Sequence, residues 1–413
     1  MSEPGGIPEE AKVLSGAELS EEYPYERRVI FFTSLGHAVM HVLELIYAGI
    51  LPLLMVRFDL SLAEVGVLVF PSLVFLGLGS FPAGLLSDRW DSHKIFLLFF
   101  FGSSTGAVLA ALSSSVWQLA AAIGVMGLFL SFYHPAGLGL ISMGVRRKGL
   151  VMGLHGIFGS LGLAISPLLA GFLGENFGWQ AAFLVPAALA FLSGVGLLFF
   201  PIRIAHHEVD AKGNKVKGKI EPTARRTLLW LYSIMIVLGF VYRGLMTYMP
   251  KYFGENVQVG RLSVVVAGGL FATIILTVGG VGQVWGGHLS DRIDPFRVYS
   301  RVVPAFAPLL LFAVLFSGYP LVIGMCVFFF FFFSSQPLEN QMLAQATPPN
   351  YRSTSYGVKF GLNLGIGALA APFCGWIGDR FGMAWIFYTL ALILLASTAG
   401  VFRLKAVRNR TIS

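Results

Sequence analysis

Charged residues are scarce in this 413-residue chain: Asp, Glu, Lys and Arg make up 12% of it, about half the share of an ordinary soluble domain. With 56% hydrophobic residues and a mean hydropathy of +0.75, that shortage excludes a water-soluble globule and assigns the chain to the membrane class. Cysteine is nearly absent. Cys326 and Cys374 both lie in apolar runs, which excludes a disulfide framework and gives no cysteine-based metal site. There is no P-loop, no nucleophile elbow and no set of metal ligands drawn from two helices, so the chain reads as neither an ATP-driven pump nor an enzyme. No metal and no cofactor are expected. The formal net charge of +8 does not indicate nucleic acid, because the basic residues are scattered between apolar runs.

Long apolar runs are what the chain has instead. A bilayer span needs roughly 20 residues, and twelve runs qualify: about 29–56, 62–86, 94–114, 116–142, 149–173, 179–201, 227–253, 262–288, 298–317, 319–345, 354–377 and 383–404. One long polar segment, rich in Lys and Gly, separates the sixth run from the seventh. The organisation follows as an acidic, disordered tail (1–26), a six-helix half (27–202), a linker (203–226), a second six-helix half (227–405) and a short tail (406–413). The acidic start lacks the basic region of a signal peptide. Phe, at 37 residues, and Gly, at 49, suit helices that face lipid and pack closely.

Charge placement orients the spans. Of the 29 Lys and Arg, Arg57, Lys251, Arg261 and Arg380 fall in one set of loops, and Arg243 and Lys359 fall inside spans. The others occupy the tails, the linker and the opposite loops. By the positive-inside rule both termini and the linker are cytoplasmic, in a plasma or bacterial inner membrane.

The chain uses one stretch twice. Gly84-Leu85-Leu86-Ser87-Asp88-Arg89-Trp90-Asp91-Ser92-His93-Lys94 returns as Gly287-His288-Leu289-Ser290-Asp291-Arg292-Ile293-Asp294-Pro295-Phe296-Arg297, each copy joining the end of one span to the start of the next. Gly174-Glu175-Asn176-Phe177-Gly178 is echoed by Gly378-Asp379-Arg380-Phe381-Gly382. Two halves of parallel topology are a transporter architecture with its site at the interface near the midplane. The Gly-x-Leu-Ser-Asp-Arg stretch resembles the signature between helices 2 and 3 of the major facilitator superfamily, with Asp91 where that signature carries Gly. The resemblance covers 27–405 and implies an all-α fold of twelve transmembrane helices in two pseudo-symmetric bundles. It also implies alternating access, with Gly84, Asp88, Arg89, Gly287, Asp291 and Arg292 as gate and hinge elements. Gly162 to Gly171 resembles the antiporter motif, with Ser166 and Ala170 replacing glycines, while Gly367 to Gly375 offers a similar pattern in the other half. His37 with Ile50-Leu51-Pro52-Leu53-Leu54, and Phe132-Tyr133-His134-Pro135, resemble the fosmidomycin-resistance type of efflux protein.

Ionised groups inside a span cost about 2.5–3.5 kcal/mol on insertion scales, so those present mark candidate sites. His37, His41 and Glu44 recur at i, i+4 and i+7 and share one helix face. Glu44 is the first candidate proton carrier, with His41 sharing the proton or binding substrate; the alternative is a polar seam joining helices. Tyr133 and His134 flank a proline kink. His155 and Lys359 occupy equivalent positions in the two halves, although Lys359 is near enough to a span end to snorkel. Tyr242 and Arg243 lie in the seventh span, where Arg243 suits a carboxylate or phosphonate or pairs with Glu339 or Glu44. Gln336, Glu339, Asn340 and Asn363 complete the candidates. The expected function is secondary transport of a small organic solute, anionic or amphiphilic, by a monomer. Proton-coupled efflux is preferred, with proton-coupled uptake of an organic anion as the alternative and a membrane sensor or enzyme behind both.

Overall fold

The structure is a computed structural model that describes residues 25–87, 90–146, 148–202, 222–347 and 352–412. Their regular structure is helical, and among them twelve helices are long and apolar enough to cross a membrane: α1 (Glu26–Gly49), α2 (Leu62–Gly84), α3 (Ser92–Ala111), α4 (Val116–Ile141), α5 (Val151–Phe177), α6 (Trp179–Phe199), α7 (Ala224–Asn256), α8 (Val264–Ser290), α9 (Pro295–Val314), α10 (Gly318–Ala346), α11 (Ser355–Phe381) and α12 (Met383–Arg408).

Proline sets the breaks. The first apolar run does not continue to residue 56 as one helix. It turns at Ile50 and restarts as the short helix Leu51–Phe58, with Pro52 at its start, where a missing N–H costs nothing. Within α4 the helix breaks at Ser131 and Phe132, because Pro135 has no N–H for the Ser131 carbonyl. Pro372 likewise leaves the Ala368 carbonyl free, and the Ala371 N–H turns to it instead. A 3-10 turn, Val303–Ala305, interrupts α9 at Pro304.

Packing repeats as the sequence does. α1 lies along α5 and α7 along α11; α2 packs on α4 and α8 on α10; α3 packs on α6 and α9 on α12. The halves meet where α5 packs on α8 and α2 on α11. Even the repeated hairpins carry the duplication into atomic contacts. A Cβ on Gly84 would meet Pro135 Cβ at 3.9 Å, and one on Gly287 would meet Pro337 Cβ at 3.9 Å. The second Asp of each copy caps the next helix: Asp91 accepts from His93 N–H at 2.9 Å and Asp294 from Phe296 N–H at 3.3 Å. Asp91, which replaces the Gly of the family signature, thus satisfies a helix-end donor. Asp88 and Arg89 lie outside the described residues, as does the side chain of Asp291, while Arg292 is exposed.

Cross-half contacts close one end of the molecule. Asp379, at the end of α11, accepts from the backbone N–H groups of Leu62 at 2.8 Å and Ala63 at 2.7 Å, capping the first turn of α2. The Tyr248 hydroxyl of α7 lies 2.9 Å from the Leu62 carbonyl and 2.7 Å from the Ala371 carbonyl, sharing its one hydrogen between them. Pro167 carbonyl oxygen lies 2.5 Å from a Cβ placed on Gly49 or on Gly269, so α5 is seated between α1 and α8. Toward the opposite end a Cβ on Gly153, Gly156, Gly357 or Gly361 meets nothing within 4 Å. The six phenylalanines 328–333 are packing residues: Phe328, Phe329, Phe332 and Phe333 are buried, and Phe330 and Phe331 half-buried.

Candidate functional site

The ionisable residues inside the spans gather into two clusters, one on each side of the interface between halves. In the first, the i, i+4, i+7 face of α1 points inward. His41 Nδ1 is 2.7 Å from Glu44 Oε2, His41 Nε2 is 3.2 Å from His37 Nε2, and His37 Nδ1 is 2.7 Å from the His155 carbonyl oxygen of α5. That face fits closely against α5, because Gly159 leaves room for the His37 ring and Gly162 for the α1 backbone at Ala38. His37 and His155 rings stack with centroids 4.0 Å apart. Tyr133, fully buried, donates to the Thr33 carbonyl and lies 3.3 Å from His155 Nδ1. The break in α4 brings His134 beside the same group, with its ring stacked on Phe360 of α11 at 5.3 Å. The polar seam weighed as the alternative for this face is therefore present, with hydrogen bonds both within α1 and to α5.

Arg243 of α7 completes this cluster from the other half. Its Nη2 is 2.5 Å from Glu44 Oε1, and both side chains are buried. Of the two structural partners weighed for Arg243, Glu44 is therefore the one it has. Arg243 Nε has no hydrogen-bond partner among the described residues, and Nη2 meets Glu44 as a close ion pair without hydrogen-bond geometry, so the fork retains buried donor capacity. Nearby, Tyr47 and Thr247 hydroxyls lie 3.2 Å apart across the same α1–α7 contact. Tyr242 lies under the Arg243 guanidinium, 5.5 Å from ring centroid to Cζ.

The second cluster belongs to the C-terminal half. Lys359 Nζ is 3.1 Å from Glu339 Oε2 and donates to Asn340 Oδ1 at 2.7 Å; Tyr299 of α9 donates to Glu339 Oε1 at 3.2 Å. Lys359 is buried and paired, so it does not snorkel. Its equivalent, His155, belongs to the other cluster. Gln336 joins a chain of contacts across the halves, with Gln283 Nε2 donating to its amide oxygen at 3.3 Å and Ser160 donating to Gln283 at 3.1 Å. Asn363 Oδ1 is buried against Gly239 of α7 with no hydrogen-bond partner among the described residues.

Several of these participants were not legible in the sequence. Tyr299, Gln283 and Ser160 are ordinary polar residues of apolar spans, and Asp379 sat in a repeated loop motif with nothing to mark its acceptor role. Ser166, read as a small stand-in for glycine in the antiporter-like motif, uses its hydroxyl to bond the Val42 carbonyl at 2.7 Å.

Comparison with known proteins agrees with this architecture. Over 89% of its length the chain is 24% identical to 91% of the fosmidomycin resistance protein of Escherichia coli. Over 94% it is 23% identical to 92% of a "Probable 4-methylmuconolactone transporter" of Cupriavidus pinatubonensis. A bacterial homolog of the human lysosomal transporter Spinster, solved in an inward-facing and unoccupied conformation, superimposes with a TM-score of 0.80 at 17% identity, covering 93% of this chain and 98% of that one. This likeness is one of fold. Residues 33–372 match the profile of the Major Facilitator Superfamily, and with that match across a twice-repeated six-helix packing the chain belongs to this superfamily of integral membrane transporters.

Proposed function

We propose that this transporter moves a small organic anion together with a proton, and that the Glu44–Arg243 pair links the two. The observation that carries this reading is the 2.5 Å contact between a carboxylate of α1 and a guanidinium of α7. While Glu44 is ionised it holds Arg243 against any competing anion. A proton on Glu44 removes that competition and leaves a planar fork suited to a carboxylate or phosphonate. Proton and anion then strengthen each other's binding by the same factor. Lys359 and Glu339 offer the same exchange in the second half. His37, His41, His155, Tyr133, His134, Tyr242, Gln336, Asn340 and Asn363 form the surrounding binding surface. The halves rock about this site as a monomer, with the termini and linker cytoplasmic and with Gly84, Asp88, Arg89, Gly287, Asp291 and Arg292 as gate and hinge.

Positive coupling between proton and anion makes an inward proton gradient drive uptake. A second reading, export in exchange for protons, is supported by the antiporter-like Gly162–Gly171 segment seated between α1 and α8, and by the resistance function in the name of a relative. Export fits a cationic or amphiphilic substrate that competes with the proton for Glu44 or Glu339. Proteoliposomes with imposed pH gradients separate the two: gradient-driven anion accumulation supports uptake, and gradient-driven expulsion supports export. Flux indifferent to the gradient removes the proton from the mechanism, and a response unchanged in both Glu44→Gln and Glu339→Gln overturns the assignment of the proton to these carboxylates.

A further inference from the structure

Three histidines of the binding surface proposed above meet closely enough to share one ligand. One ring nitrogen from each of His37, His41 and His134 lies within 4.8 Å of the other two, and all three residues are partly exposed. The sequence contains the His37–His41 pair but no visible ligand from a second helix. The break in α4 supplies it, 93 residues further on (134 minus 41).

Hydrogen bonding fixes which nitrogens are available. His37 Nδ1 faces the His155 carbonyl oxygen at 2.7 Å. A carbonyl only accepts, so Nδ1 carries the hydrogen. His41 Nδ1 faces Glu44 Oε2 at 2.7 Å, while the other oxygen of that carboxylate meets the Arg243 guanidinium at 2.5 Å, so here too Nδ1 is placed to donate. Two neutral rings in these tautomers point the lone pairs of their Nε2 atoms at each other across 3.2 Å. Such a contact is repulsive unless a cation lies between them. Two imidazole nitrogens on a tetrahedral ion with bonds of about 2.0–2.1 Å stand roughly 3.3–3.4 Å apart, close to the separation observed. The outer shell is already in place: a carboxylate behind His41 and a backbone carbonyl behind His37, the partners that orient metal-bound histidines.

We infer that His37, His41 and His134 form a binding site for a divalent first-row transition-metal ion such as Zn2+ or Co2+, coordinated through imidazole nitrogen. Neutral nitrogen ligands favour these ions over Mg2+ or Ca2+. His134 completes the set by a side-chain rotation that brings its nitrogen, already within 4.8 Å of the other two, into bonding distance, at the expense of its stack on Phe360. The three imidazoles leave a fourth position for water or for an anionic ligand. Arg243, Glu44, His155 and Tyr133 are the other charged or titratable groups around the site, and among them the negative charge of Glu44 offsets the positive charge of Arg243.

The test is a Co2+ titration of the purified, tag-free full-length protein in detergent, followed by visible ligand-field absorption, with displacement by Zn2+. One saturable site per chain is expected. His37→Gln and His134→Gln should each weaken it at least about tenfold, and Glu44→Gln should weaken it by roughly 10–100-fold through the loss of the carboxylate behind His41. The double variant His206→Gln/His207→Gln, in the linker, should bind as the parent does. Metal-free melting curves identify which variants fold, and His41→Gln stands in for any that does not. Absence of a one-to-one site, or Co2+ binding insensitive to His37→Gln and His134→Gln, overturns the assignment and leaves a shared proton between the two Nε2 atoms.

Discussion

Arg243 and Glu44 sit 2.5 Å apart across the boundary between the two six-helix halves, with 1% and 4% of their side chains accessible. Neither charge has water to fall back on. Breaking a buried pair by removing one partner costs about 3–5 kcal/mol, because the other is left uncompensated. Glu44→Gln or Arg243→Gln should therefore lower the melting temperature of the purified protein markedly. The double variant should recover much of that loss, whereas gradient-driven transport fails in all three. Equal destabilisation in the double variant would show that the two charges do not act as a pair.

The second pair predicts a ranking. Lys359→Met strands Glu339 in the same way and should be the more damaging change, again by about 3–5 kcal/mol. Tyr299→Phe deletes one hydrogen bond to a charged acceptor and should cost about 1.5–3 kcal/mol. Thermal melts of the two variants side by side check the order, and a Tyr299→Phe loss as large as that of Lys359→Met would contradict it.

Asp379 should act as a latch on the closed end. Asp379→Ala removes two charge-assisted bonds to the Leu62 and Ala63 N–H groups, each worth about 1.5–3 kcal/mol. Losing even one of them shifts a two-state equilibrium by roughly 10–150-fold. Pairs of spin labels on the α2 and α11 ends should report a larger population with these ends apart. An unchanged distance distribution would mean that the cap holds the helix end but not the conformation.

Two glycines should behave oppositely. A methyl group at Gly239 would overlap Asn363 Oδ1, so Gly239→Ala should push α7 and α11 apart and reduce folded yield and transport together. Removing the amide in Gly239→Ala/Asn363→Ala should restore only part, because the Asn363 backbone oxygen lies 2.7 Å from the same methyl position. Gly357→Ala meets nothing within 4 Å and should leave the melting temperature unchanged. Detergent-solubilised yield and melts distinguish these outcomes.

Much of the fold was legible because a bilayer enforces simple rules. A span must be helical, apolar and about 20 residues long, so scarcity of charge and the repeated Gly-x-Leu-Ser-Asp-Arg stretch already announced twelve spans in two copies. The ends were less legible. The kink at Pro135 was legible from the proline itself, but the helix breaks at Ile50 and before Pro372 depend on which carbonyls find another donor, which apolar periodicity does not reveal. The His37–His41–Glu44 face was visible for the opposite reason: an i, i+4, i+7 spacing is a property of one helix alone.

The sequence by itself determined what kind of molecule this is, how many times it crosses a membrane, that its halves are copies, and which few residues carry charge where charge is costly. Only the tertiary structure decided the partners. Glu44 meets Arg243 rather than Lys359, Glu339 meets Lys359 rather than Arg243, Asp379 caps a helix more than 300 residues earlier in the chain, and His134 joins His37 and His41. Each of those pairings is set by which helices pack side by side and how each is rotated about its axis. Those are properties of side-chain fit between distant segments, and no single span's periodicity contains them.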